Sequence, residues 1–339
     1  MKTIAFWIGI FLLALVSASC SQKTPVIFCG SAQNDLYPVL QEEGFEIRQR
    51  DTPEQAIAQA DEGMAVFIMA DQYPRATQHI DEALLATARE KKLKLYIEYP
   101  AVYPTLNIPA TPLSTQLERG VITSTAFGES LPPLTILGLN DCYVLPVKVD
   151  SPLMVLAKVA GFDKAEYGID DVEKYPLLFE QDGVLIATTK LSNFATGRYG
   201  PNDAWQQVWT YILSKMTGRE DLQFTKWPSY VNPMYAKNEV LPANAKEKSI
   251  ERGVEWFYNG RFFVHEQWKE LYNKYQGDGT NPFGPPLDQK LPNGDGSHGL
   301  LEGHASKIYH DGSQQYRYWL RADVQGEAAY ALAAAGDLL

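Results

Sequence analysis

The densest run of chemically capable residues lies late in the chain. There Asn293-Gly-Asp-Gly-Ser-His-Gly-Leu-Leu-Glu-Gly-His-Ala-Ser places Asp295, His298, Glu302 and His304 within ten residues. Glycines in such a run let backbone approach a ligand closely, and acids mixed with imidazoles are what a polar substrate pocket needs. Arg317, Arg321, Asp323 and Glu327 follow. Arg317 and Arg321 are four apart, as are Asp323 and Glu327, so on a helix each pair shares a face. A carboxylate pair beside the apolar stripe Leu320, Val324, Ala328, Ala331 and Ala335 is unusual for a buried helix unless that face borders a cavity. The plain alternative has Asp295 shaping a turn, Glu302 capping a helix and Asp323 pairing with an arginine. Metal binding is not expected. His265-Glu266 opens like a zinc-protease motif, but Lys269 stands where the second histidine belongs, and His298, His304 and His310 lie six apart, off any common helix face. Nothing in the pattern calls for a cofactor.

These residues must be held by the elements around them. Residues 246–339 read as helical hairpins. Ile250, Val254 and Phe257 form a stripe ended by Asn259-Gly260, a second helix is predicted from His265 to Tyr275, and a last one from Gln314 to the C-terminus. The rigid segment Gly277-Asp-Gly-Thr-Asn-Pro-Phe-Gly-Pro-Pro lies between them. Residues 219–245, with Trp227-Pro, Asn232-Pro and Leu241-Pro, read as a meandering linker. Residues 25–218 have a different grammar. Apolar strand-like stretches at 25–30, 45–49, 63–70 and 93–99 alternate with helical stretches at 33–43, 52–60 and 74–92, which implies an α/β fold with a mainly parallel sheet. Asp182-Gly183 between apolar runs predicts a hairpin turn. Asp203 to Thr217 predicts an amphipathic helix with Trp205, Val208, Trp209, Ile212 and Met216 inward and Gly218 ending it.

Two family resemblances sharpen this outline. The run Ala187-Thr-Thr-Lys-Leu-Ser-Asn-Phe-Ala-Thr-Gly-Arg-Tyr-Gly-Pro, with Trp205 and Trp209, resembles a class I glutamine-amidotransferase-like domain, which implies a flavodoxin-like sheet with flanking helices. The departure outweighs the match. Glutaminase chemistry needs an activated cysteine paired with a histidine, and no histidine lies between His79 and His265. The domain is expected to be catalytically degenerate. Lys190, Asn193, Arg198 and Tyr199 could line a pocket at the carboxyl ends of the strands, where open α/β sheets bind ligands, or could simply cap the last helix and hold the hairpin. In the second half, Gly253-Val-Glu-Trp-Phe, Asp295-Gly-Ser-His-Gly-Leu-Leu-Glu-Gly and Arg321-Ala-Asp-Val-Gln-Gly-Glu-Ala-Ala resemble the opening hairpins of a six-hairpin glycosidase-like (α/α) toroid. That resemblance implies a glycoside hydrolase acting through paired carboxylates. Asp295, Glu302 and Asp323 are then the acids, and His298, His304, Arg317, Arg321 and Glu327 bind substrate hydroxyls or a uronate. A non-catalytic glycan-binding protein and a polysaccharide lyase stay open as alternatives. A complete toroid has more helices than this half offers, so the toroid is expected to be incomplete and the chain to be the front of a longer protein.

The beginning of the chain gives its address. Lys2, the apolar run Ile4–Val16 and the small residues Ser17, Ala18 and Ser19 read as a signal peptide over residues 1–19. Val16-Ser-Ala-Ser-Cys20 resembles a loose lipobox of Bacteroidota lipoproteins, which implies lipid attachment at Cys20 and a lipid anchor to the outer membrane. Ser21-Gln-Lys-Thr lacks an acidic cluster, so the anchor is expected to face the periplasm. A formal charge of −11 without basic tracts argues against nucleic acid as a partner. Aromatic residues make up 12% of the chain, with six of the seven tryptophans beyond residue 200, a distribution that suits polysaccharide or oligosaccharide partners as well as a core. Cys29 and Cys142 sit in apolar stretches and are expected to be buried free thiols.

Overall fold

The computed structural model describes residues 23–75, 78–236, 238–276, 280–281 and 283–339. The expected signal peptide, Cys20 and part of the Gly277 segment lie outside the described residues.

The chain opens with parallel βα units: β1 (Pro25–Cys29), α1 (Leu36–Glu42), β2 (Glu46–Arg50), α2 (Pro53–Gln59) and β3 (Ala65–Ile68). A two-residue β4 (Gln78–His79) precedes α3 (Glu82–Glu90), then come β5 (Lys94–Glu98) and β6 (Pro100–Val102), which pairs with β4. A less regular stretch holds β7 (Leu113–Ser114), β8 (Arg119–Ile122), β9 (Ile136–Leu137) and β10 (Tyr143–Val144). It is followed by β11 (Met154–Ala157), β12 (Lys174–Gln181), β13 (Val184–Ala187) and the long α4 (Asn202–Thr217). One nine-stranded sheet collects most of these in the order β2-β1-β3-β5-β13-β12-β11-β8-β9. The pairs from β2 through β13 are parallel and the rest antiparallel. The class is therefore α/β with a mixed sheet.

Helices cover both faces of the parallel part, which is why β1, β3, β5 and β13 are largely buried and apolar, while β2 at the edge is polar. Leu36, Val39 and Leu40 of α1 share a core cluster with Trp205, Val208, Trp209 and Ile212 of α4. Ala56 and Ile57 of α2 and Leu85 and Ala88 of α3 pack in the other cluster. Helix α4 has the predicted inward face, and Gly218 ends it at φ 75°, its N–H bonded to Ser214 O. Trp209 is fully buried with Tyr96 and Phe194 edge-on at 5.6 and 5.9 Å; deletion of such a side chain costs about 3–5 kcal/mol. The β12–β13 hairpin turns on Asp182 and Gly183, both at positive φ, as the Asp-Gly pair predicts.

Three expectations are corrected in this half. The helix expected over 74–92 is confined to Glu82–Glu90, because Asp81 caps it by accepting from Leu84 N and the residues before it extend to pair with β6. His79 consequently lies in a strand. The helix expected from Gln33 starts only at Leu36, since the Ser31 hydroxyl and Asn34 side chain accept the N–H groups of Gln33 and Leu36 and hold a turn instead.

The second region departs further from expectation. It contains α5 (Ala245–Asn259), α6 (Lys269–Gln276), β14 (Phe283–Gly284), β15 (Gly303–Ile308), β16 (Gln314–Arg317) and α7 (Ala322–Leu338). Residues 246–339 are therefore not all-α. An antiparallel sheet in the order β14-β16-β15 sits among the helices, and an (α/α) toroid is not what these residues form. The helix expected from Gln314 fails because Tyr316 and Tyr318 alternate inward with a period of two, 7% and 0% exposed, the pattern of a half-buried strand. Arg317 in β16 and Arg321 at the N-cap of α7 thus do not share a helix face; Asp323 and Glu327, both on α7, retain the four-residue spacing.

The β15–β16 hairpin joins the second region to the first. Lys307 Nζ lies 2.8 Å from Asp141 Oδ1, and His310 approaches Asp141 Oδ2 with its backbone N and Nδ1, each at 3.2 Å. Asn193 Nδ2 donates to His310 O at 2.7 Å and Arg198 Nη1 to Gln314 Oε1 at 2.8 Å. At the tip, Gly312 has φ 79° and lies so close to Thr196 that an added Cβ would meet Thr196 O at 2.8 Å. The Asp141 side chain is 2% exposed. Burial works against its charge, but the bonds from Lys307 and His310 outweigh that and hold the carboxyl below the usual range.

Asp141→Asn is expected to lower stability by about 1–2 kcal/mol, a charged pair discounted because Lys307 is exposed. Hydrogen exchange should rise over β15–β16 before it rises in the large sheet. Acidification of the wild type should do the same. Asp141 has a lower pKa folded than unfolded, so its contribution is complete above the unfolded value of about 4 and is lost as pH falls through the lower folded one. Unchanged exchange in the variant would show that other contacts hold the hairpin.

Candidate functional site

Strand order reverses around β1: the chain passes from β1 to β2 on one side, then returns past β1 to β3 on the other. With α1 and α2 on opposite faces, the carboxyl ends of β1 and β3 open into a crevice, the place where open α/β sheets take ligands. The segment after β1 supplies Ser31, Asn34 and Asp35, the one after β3 supplies Asp71, Tyr73 and Arg75, and the one after β13 supplies Lys190, Asn193 and Thr196. His310 and Asp311 of the hairpin tip form a further wall, and the cavity measures about 450 Å3.

The floor is rigid. Glu98, at the end of β5 and fully buried, accepts from Tyr96 Oη at 2.9 Å, Ser192 N at 2.7 Å, Ser192 Oγ at 2.8 Å and Ala70 N at 3.4 Å. Burial pushes its carboxyl up despite these donors and the nearby Lys190 charge. Asp35 accepts from Ala195 N, Thr196 N and Thr196 Oγ1 at 2.8–2.9 Å, tying the β13–α4 loop to α1. Asp71 Oδ2 accepts from Ser31 N at 2.6 Å. Of the four residues singled out in this domain, Lys190 and Asn193 line the crevice, whereas Arg198 holds the hairpin and Tyr199 is buried with its hydroxyl 3.0 Å from Cys142 Sγ. Ser31 and Asp71 escaped the sequence reading; their only signal is their position one to three residues past an apolar strand.

The residues nominated in the second region divide into two groups. Glu302, Arg317, Arg321 and Asp323 converge. Glu302 Oε1 lies 2.8 Å from Arg317 Nη1 and 3.3 Å from Arg321 Nη1, while Arg321 Nη2 is 2.5 Å from Asp323 Oδ2. The Arg317 guanidinium stacks over Phe283 and Trp319 at 5.5 and 5.2 Å. Glu302 Oε2 and Arg317 Nε are buried without a hydrogen-bond partner. An open depression of about 510 Å3 beside this chain is lined by Gln276, Trp319, Leu320 and Arg321. The Arg321 bond holds Asp323 below the usual carboxylate range.

The other four stand apart from that ion-pair chain. Asp295 shapes a turn, accepting from Ser297 N and Oγ, and those bonds hold its carboxyl low. His298 borders a separate hollow with Glu266, Lys269 and Tyr272. His304 is packed edge-on among Phe262, Tyr316 and Trp256, and burial, with the Arg198 charge adding, lowers its pKa. Glu327 is exposed on α7. Among the described residues no group of three or more His, Cys, Asp or Glu side chains could hold a metal ion, and no helix is long and apolar enough to cross a membrane.

The amidotransferase question turns on the thiols. Cys29 ends β1 and Cys142 lies just before β10; both are buried and unpaired with each other. Burial pushes each thiol up to about 12. A histidine does come near from far along the chain, since His310 reaches Asp141, but its ring packs against Tyr73 and Tyr143 and its hydrogen bond goes to the carboxylate. Cys142 Sγ faces Tyr199 Oη and Asn140 O instead. No protein-family model matches the sequence, and comparison with curated proteins finds no match.

Both thiols are expected to resist iodoacetamide at pH 8 in the folded protein and to react together once it is unfolded, as read by mass spectrometry. Selective labelling of Cys142 in the native state would mean an activated nucleophile after all.

Proposed function

We propose that the protein is an exported, lipid-anchored protein of glycan breakdown, a glycoside hydrolase whose second region engages the sugar and whose amidotransferase-like domain is catalytically silent. The observation that carries this reading is the convergence of Glu302, Arg317, Arg321 and Asp323 beside Trp319, although they come from the approach to β15, from β16 and from the start of α7. Two carboxylates bridged by guanidinium groups, next to an aromatic face and an open depression, combine the acids that hydrolysis needs with a surface on which a sugar ring can stack. Asp323, held ionised by Arg321, suits the base or nucleophile. Glu302 is left as the proton donor, with Oε2 unpartnered. Asp295, committed to its turn, drops out of the pair.

A second reading, glycan binding without cleavage, is favoured by the same arginines. Arg317 and Arg321 both engage Glu302 Oε1, so the cluster offers a fixed ion-pair chain beside an aromatic face that can hold hydroxyls with no proton transfer.

A glycan panel incubated with the full chain separates the two. Hydrolysis predicts release of reducing sugar that falls by roughly 10²-fold or more in Glu302→Gln and Asp323→Asn and persists in Lys190→Ala. Retained binding with no release from any glycan removes the hydrolase reading and leaves the binder. For the anchor, Cys20→Ser is expected to abolish palmitate labelling and move the protein out of the membrane fraction; unchanged fractionation would rule out acylation at that residue.

A further inference from the structure

We propose that the crevice at the carboxyl ends of β1, β3 and β13 is a second ligand site, which takes a small sugar acid with its carboxylate on Lys190 and its hydroxyls on Asp71, Asn193 and Asp311. The choice of a sugar acid rests on the glycan reading above; the site itself rests on geometry.

Lys190 is half-buried in the cavity wall, and among the described residues its ammonium makes no hydrogen bond or ion pair. Glu98 and Asp71 both lie within its electrostatic reach, but four donors from Tyr96, Ser192 and Ala70 occupy the Glu98 oxygens and Asp71 Oδ2 accepts from Ser31 N. A flexible ammonium held partly out of water with no direct ion pair is a place where one anionic group is favoured. Asp71 and Asp311, which also line the cavity, limit how much negative charge can enter. A phosphate or a polyanion would meet two carboxylates, whereas a single carboxylate carried on a ring of hydroxyls finds a cation for its charge and acceptors for its O–H groups. A volume of about 450 Å3 is within the range of small-molecule sites and suits one or two sugar rings.

The hairpin tip makes the site a shared one. Asp311 is held in place because Ser313 N and Oγ bond its Oδ1 at 3.0 and 2.7 Å, and His310 is anchored on Asp141. Neither residue belongs to the α/β domain, so the pocket has its full lining only when the hairpin is docked.

Isothermal titration calorimetry of the full chain with D-glucuronate, D-galacturonate, the methyl ester of each and D-glucose tests the assignment. We expect a uronate to bind, its methyl ester and glucose to bind about tenfold more weakly or less, and Lys190→Met to lose a similar factor, the usual scale of one charge-assisted bond. Gly312→Val, which displaces the tip, should weaken binding as well. Lys158→Ala, which lies in neither the crevice nor the Glu302 cluster, should leave it unchanged. Equal binding of acid and ester, binding lost in Arg321→Ala but kept in Lys190→Met, or no binding of either uronate would overturn the proposal. Should Lys190→Met not fold, the acid-against-ester comparison on the wild type still decides. Absence of glycan hydrolysis with uronate binding intact would count against the hydrolase reading alone.

Discussion

Asp141 is a carboxylate almost wholly removed from water, and a buried charge persists only with compensation at close range. Its own domain does not provide the cations. Lys307 and His310 do, more than 160 residues along the chain, and in doing so they bring a hairpin from the second region onto the edge of the crevice. Asn193, Arg198 and Thr196, all from the loop between β13 and α4, complete the contact around that charge pair. The energetic logic is asymmetric. Docked, the carboxylate has two partners; undocked, it must be rehydrated or protonated. The position of the hairpin, and with it a wall of the crevice, therefore follows from one buried charge.

The large sheet explains where the crevice lies. Its parallel half is covered on both faces, its strand ends are open to polar chemistry, and the reversal of strand order at β1 leaves a gap there. Glu98 at the end of β5 is spent on ordering this edge: by accepting from Ser192 and Ala70 it fastens the loops after β13 and β3 to one another. A fixed floor beside a lysine without an ion pair is a different kind of object from a nucleophile elbow, and the two buried cysteines fit that difference.

Much of the first half could be read from the sequence because its signals are local. Four consecutive buried residues in β3, Thr52 at a helix start, and Asp182-Gly183 at a turn each declare themselves within a few positions. The second half was misread where two periodicities compete. Gln315-Tyr316-Arg317-Tyr318 supports a strand through its aromatic alternation, but the alanine-rich helix that follows extends a helical pattern backwards over it. The candidate sites were legible in part for the same reason. Glu302, Arg321 and Asp323 were nominated by residue type, yet their pairing depends on β16 being extended, which brings Arg317 alongside Glu302 instead of on to a helix face. Ser31, Asp71 and Asp311 carry no motif at all; they matter only because strand order and hairpin docking bring three distant loops to one cavity.

Strand β16 also connects the two sites. Gln314 at its start receives the Arg198 bond from the α/β domain, and Arg317 at its end holds Glu302. Three residue steps of extended chain separate them, about 10 Å, with Tyr316 buried between and its hydroxyl donating to Gly260 O at 2.8 Å. A ligand in the crevice and a ligand at Glu302 would thus touch opposite ends of one short segment. Coupling through that segment requires that the crevice ligand distinguish the docked from the undocked hairpin, and Asp311 and His310 in the cavity wall are the residues through which it would do so.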